Sequence, residues 1–131
     1  MEHLTVCDNN IRDLKPLWKL KNLVSLQIQP NKNIKTIKGI EKLKNLEYVA
    51  FRDGEFSPEF TDVSPLLKLP KLEGVWIDGA RGIKDLRPFL KIKTLKSLYI
   101  TADENVDHKP VIDAEYIQEL VVNDIAHRID V

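Results

Sequence analysis

One apolar pattern returns six times along the chain at nearly even spacing, and it restricts the fold more than any other feature. Its anchors are Met1, Leu23, Leu46, Leu72, Leu95 and Ile117, separated by 22, 23, 26, 23 and 22 residues. Each anchor is followed by apolar residues three and five positions on: Leu4/Val6, Leu26/Ile28, Val49/Phe51, Val75/Ile77, Leu98/Ile100 and Leu120/Val122. The step of two that ends each set suits a strand with one buried face. Between strands the step changes to three, as in Ile11-Leu14-Leu17-Leu20, Ile34-Ile37-Ile40-Leu43 and Ile83-Leu86-Phe89-Ile92, which suits a tight helical coil. The unit is clearest in residues 72 to 95. Each half is too short to bury its own stripe, so the copies must stack on one another. At 131 residues the chain is expected to form one domain, 1–131, with repeats starting near 1, 23, 46, 72, 95 and 117.

The returning segments share a second signal. Asp13-Leu14-Lys15-Pro16, Asp62-Val63-Ser64-Pro65 and Asp85-Leu86-Arg87-Pro88 align, and Thr36-Ile37-Lys38-Gly39 takes the same place in the second repeat. Asp or Thr caps orphan N–H groups, and proline in a first turn forfeits no hydrogen bond. Plain turn formation explains any one of these segments but not their common register, which predicts short 3₁₀ or one-to-two-turn helices.

With these residues in place, the chain resembles the leucine-rich-repeat family, whose pattern is L-x-x-L-x-L-x-x-N, and within it the 22-residue bacterial class typified by the internalins. The resemblance covers essentially the whole chain. It implies an α/β fold: a right-handed solenoid with a curved parallel sheet of about six short strands on the concave side and 3₁₀ or helical turns on the convex side. The family's buried asparagine ladder is only partly kept. Asn9 and Asn31 hold its position, whereas Gly54, Ala80 and Asp103 replace it, with Asn33 and Asn105 two residues on as substitutes. The ladder is therefore expected to be interrupted, with Gly79 and Gly82 making the tight turn. The longest repeat places its surplus in Asp53–Glu59, a loop carrying Phe56 that leaves the solenoid on the binding side or is mere slack. In the last third Val106 and Ile112 take the inward positions. Ile117–Val122 makes a sixth strand, the alternative being a helix over Asp113–Arg128.

Composition removes several function classes. Twenty basic and twenty acidic residues cancel, so bulk charge favours neither nucleic acid nor an acidic partner. The lysines before the strands lack interleaved aromatics, so no nucleic-acid binding is expected. One cysteine excludes an internal disulfide and every multi-cysteine metal site. No stretch of about 18 apolar residues exists to span a bilayer, and Met1-Glu2-His3-Leu4 does not read as a signal peptide. A cytoplasmic location is slightly favoured, or a surface or secreted one if the chain is a fragment. Because Met1 already occupies an anchor, with no polar cap before it, the chain is expected either to belong to a longer protein or to self-associate through its N-terminal end.

Function is expected on the sheet face opposite the buried positions. There, neighbouring strands about 4.8 Å apart turn a periodic sequence into a grid. Its outward residues run His3, Thr5, Cys7; Ser25, Gln27, Gln29; Tyr48, Ala50, Arg52; Gly74, Trp76, Asp78; Ser97, Tyr99, Thr101; and Glu119, Val121, Asn123. Tyr48, Trp76 and Tyr99 fall on three consecutive strands with Arg52 and Asp78 beside them, and small Ala50 and Gly74 leave room next to the indole. Tyr, Trp and Arg are the types most enriched at interface hot spots. The plainer reading is that aromatics favour strands and cover one another. The candidate protein-binding set is Gln27, Gln29, Tyr48, Arg52, Trp76, Asp78, Tyr99 and Thr101. Charge is sorted too: Lys19, Lys21, Lys42, Lys44, Lys68, Lys71, Lys91 and Lys93 precede the strands, and Asp8, Asp53, Glu55, Asp78, Asp103, Glu104 and Asp107 follow them. Such edges orient a partner or serve solubility alone.

Catalysis finds no footing. His3 and Cys7 share the first strand but lack an orienting third group. No glycine-rich phosphate loop or nucleophile elbow is present. His3, His108 and His127 belong to separate repeats, so no metal, cofactor or catalytic residue is assigned. Two functions remain: recognition of a protein partner through the concave face, or a structural segment that stacks through its ends.

Overall fold

The computed structural model of the protein describes residues 2–7, 13–52 and 61–129. Every strand has four residues: β1 (His3–Val6), β2 (Ser25–Ile28), β3 (Tyr48–Phe51), β4 (Gly74–Ile77), β5 (Ser97–Ile100), β6 (Glu119–Val122) and β7 (Ile125–Arg128). They form one sheet in sequence order. The first five pairings are parallel, without slippage in register, and the last is antiparallel. This is the architecture of a leucine-rich-repeat solenoid. Parallel neighbours need a crossover between them, and here each crossover is a short turn: 3₁₀ helices at Lys15–Lys19, Ile40–Lys42, Ser64–Lys68 and Arg87–Lys91, and one α-helical turn, α1 (Lys109–Ile112).

The period of two sorts the strands as written. Leu26, Ile28, Val49, Phe51, Val75, Ile77, Leu98, Leu120 and Val122 are buried, as are the anchors Leu23, Leu46, Leu72, Leu95 and Ile117. Leu4 and Val6, on the outermost rung, are half-buried. The steps of three supply the opposite wall of the same core through Ile34, Ile37, Ile40, Leu43, Ile83, Leu86, Phe89 and Ile92. Each fully buried Val, Leu or Ile contributes roughly 1.5–3 kcal/mol, and stacking alone makes that burial possible.

Aspartate and threonine act where the aligned segments placed them. Asp13, Asp62 and Asp85 accept a hydrogen bond from the backbone N–H two residues on, at Lys15, Ser64 and Arg87, over 2.9–3.0 Å. Thr36 does the same for Lys38 at 3.0 Å. In the fifth repeat Asp107 bonds to Lys109 N–H, also at 3.0 Å. These turns deliver the chain to a proline near the start of four of the five helical segments.

Several expectations are corrected. In the first turn Leu14 is buried as expected, at 3% exposure, but Trp18 joins it at 5%, while Leu17 and Leu20 pack half-buried against the core. The Trp18 indole packs on Gly39, whose φ of +108° and missing Cβ make the space, and donates Nε1–H to Lys38 O at 3.1 Å. In the fifth repeat Val111 is buried and Ile112 is 38% exposed. The segment there makes i→i−4 bonds, Ile112 N–H to His108 O and Asp113 N–H to Lys109 O, so its side chains advance by an α-helical angle rather than a 3₁₀ one. Asn33 and Asn105 are exposed and do not replace the ladder. Asn31 and Asp103 instead close side-chain turns onto their N–H groups, both at 2.8 Å. The loop expected over Asp53–Glu59, with Phe56, lies outside the described residues, as do Asp8 and Asn9.

The seventh strand replaces the alternative helix. Asn123 and Asp124 have φ of 49° and 66°, the left-handed pair that a tight hairpin requires. Asn123 also bridges backward: its Oδ1 accepts from Ala102 N–H at 2.8 Å and its Nδ2 donates to Asp103 O at 3.0 Å. The returning strand is fastened to α1. Arg128 donates to the carbonyls of Val111, Ile112 and Ala114, each at 3.0 Å. His108 Nδ1 and His127 Nε2 are hydrogen-bonded at 2.9 Å, the tautomers deciding which one donates. Two of the three histidines thus meet, contrary to the separation expected from their repeats.

Candidate functional site

Alternation places the outward residues of β2 to β6 on the face away from the core, and the ladder carries one residue further. The N–H groups of Gln29, Arg52, Asp78, Thr101 and Asn123 donate to carbonyls of Val6, Ile28, Phe51, Ile77 and Ile100 over 2.8–3.0 Å. The residue just past each strand is therefore held as firmly as those within it. Trp76 stands between Ala50 and Tyr99 in register, with Val75 and Ile77 fully buried beneath the sheet.

The rings form a stack across the strands. Trp76 and Tyr99 lie 4.5 Å apart between centroids, with planes 11° from parallel, close to the strand spacing of about 4.8 Å that presents them. From the other side the Arg52 guanidinium sits 4.0 Å over the indole. Because β3 and β5 flank β4 on opposite sides, both faces of the indole are covered and its edge meets solvent. The indole Nε1–H donates to Asp78 Oδ1 at 2.7 Å, which fixes the ring's tilt. Tyr99 OH donates to Glu119 Oε2 at 2.5 Å. That bond, then burial and the nearby carboxylate charge, push the Tyr99 pKa up to about 12.

The room expected beside the indole is occupied. Tyr48 leans over Gly74, where a Cβ would come within 2.8 Å of Tyr48 Cδ2, and Ala50 is fully covered. Burial raises the Tyr48 pKa, with Arg52 opposing the shift and Asp78 adding to it. Of the candidate residues, Tyr48, Arg52, Trp76, Asp78 and Tyr99 come together. Gln27 and Gln29 stand on the β2 rung beside this cluster, and Thr101 is one rung beyond Asp78; all three are half-buried.

Sequence reasoning missed the glutamates. Positions directly after the anchors include Glu2, Glu47 and Glu73, and Glu47 and Glu73, on neighbouring rungs, lie beside the aromatic stack. Glu73 pairs with Lys96 at 3.2 Å. The signal was available as a fixed offset from three of the six anchors. A larger depression, about 600 Å³, lies over Trp18 and Gly39, but its aromatic is spent on that glycine. Among the described residues no group of three or more His, Cys, Asp or Glu is placed to hold a metal ion, and no helix is long and apolar enough to cross a membrane.

No protein-family model and no curated protein matches the sequence. Among solved structures, internalin C2 from Listeria monocytogenes shares the fold, with a TM-score of 0.64 and 24% identity over 93% of this chain. The chain spans about half the length of that structure, 50%.

Proposed function

We propose that this chain, an internalin-like leucine-rich-repeat solenoid, is a non-catalytic recognition module that holds a protein partner on the concave face of its sheet. The supporting observation is the Arg52–Trp76–Tyr99 stack, a half-buried cluster of hot-spot residue types on the open face, locked by Asp78 and Glu119. Side chains ordered before binding lose little conformational entropy in a complex. Edge-out rings offer a rigid ridge with polar atoms at its rim, which favours protein surfaces over small molecules. Comparative capture with wild-type and Trp76→Ala baits tests this. Genuine concave-face partners bind the variant more than about tenfold more weakly, while the thermal midpoint stays nearly unchanged. Equal retention by both baits refutes it.

A second reading, assembly of copies through the ends of the stack, draws on half-buried Leu4 and Val6 in β1. Sedimentation across a concentration series separates the two, because association through β1 responds to Leu4→Glu and is indifferent to Trp76→Ala.

A further inference from the structure

A groove of about 490 Å³ opens at the strand-start half of the open face, lined by Tyr48 where it covers Gly74 and by Trp76, Ser97 and Tyr99. Its rim carries Glu47, Glu73, Glu119 and Lys96. Resting on the recognition reading above, we propose that this groove receives a lysine or arginine side chain from a basic segment of the partner protein.

Charge complementarity decides the occupant. Three carboxylates face one ammonium here, whereas the chain as a whole is neutral. Lys96 is held by Glu73, with both partly exposed. Glu119 is anchored by the Tyr99 hydroxyl, which sets its carboxylate against the aromatic wall at no further ordering cost. An anionic side chain meets repulsion in this rim, and a purely apolar one strips water from carboxylates without compensation. A long cationic side chain satisfies both parts, laying its methylene stem along the ring edges while its head stays among the carboxylates and water. The protein displays the compatible chemistry itself: its own Arg52 guanidinium rests on one face of the same indole, opposite Tyr99.

The two tryptophans make the test internally controlled, since Trp18 is pinned to Lys38 O by its own indole N–H. The intact chain is titrated with acetyl-arginine-amide, and separately with the neutral isostere acetyl-citrulline-amide, while both indole N–H signals and the Gly74 amide are followed by NMR. The expected result is saturable movement at Trp76 and Gly74 with Trp18 unmoved. Citrulline binds about fivefold more weakly, and Glu73→Gln or Glu119→Gln each weakens the arginine probe about two- to threefold. Equal response to both probes, or no movement at Trp76, overturns the inference. If Trp76→Ala still abolishes partner capture in that case, the recognition reading stands alone. If the arginine probe binds as described but capture ignores Trp76, the recognition reading falls and the cation groove stands.

Discussion

The indole of Trp76 is steered by Asp78, two residues along the same chain: Nε1–H to Oδ1 spans 2.7 Å. Trp76 lies in β4 and Asp78 one position past its end, so both emerge on the open face and the aspartate reaches back to the ring. This bond fixes which edge of the aromatic stack faces a partner.

Asp78→Ala is expected to cost about 1 kcal/mol in urea unfolding and to weaken partner binding several-fold by freeing the indole. Asp78→Asn keeps an acceptor oxygen and retains most of both. Similar binding by the alanine and asparagine variants removes the positioning role of this bond.

Gly39→Ala is expected to destabilise far more than an ordinary surface change. The backbone there has φ of +108°, and a Cβ overlaps the indole of Trp18, itself nearly buried. Left-handed strain and overpacking together cost about 3 kcal/mol. A shift of less than about 1 kcal/mol in chemical denaturation shows that the indole has another place to go.

Tyr99 ionisation reports the same face from the other side. Ultraviolet titration is expected to show one tyrosine ionising near about 12, and Glu119→Gln to bring it back toward the ordinary value of 10.0. Because the folded-state pKa is raised, this stabilisation is complete below 10.0 and is lost as pH rises through about 12.

Mild acid is expected to loosen the C-terminal hairpin. Burial, then the neighbouring His108 and Arg128 charges, hold the His127 pKa below its ordinary 6.5. The unfolded state therefore binds more protons in that window. Stability is full above 6.5 and falls as pH drops through the lowered value. The protection factors of the amides over residues 125–128, which set the observed rate against the intrinsic acid-slowed one, should fall from neutral pH to pH values below that window, and His127→Gln should flatten the response. Identical pH profiles for wild type and variant exclude the pair as its source.

Much of this was legible in the chain itself. Six pairs at one offset dictate parallel strands, because only stacking hides stripes that short. Asp13, Asp62 and Asp85 announce their turns, because an aspartate ahead of a proline-led coil has one nearby N–H to accept from. The seventh strand was also written, in Asn123-Asp124 between apolar runs, yet the same residues trace a helical face when read at a period of three to four.

Within the strands, the sequence by itself determined which side chains turn to the core and which to the open face, because a period of two leaves a strand no other choice. It also determined that Tyr48, Trp76 and Tyr99 share that face. Only the tertiary structure decided what the rings do there: that Tyr48 fills the space over Gly74, that Arg52 and Tyr99 enclose the indole, and that His108 meets His127 across separate repeats. Those contacts join residues of different rungs, and whether they form depends on strand spacing and side-chain direction, which no residue carries alone.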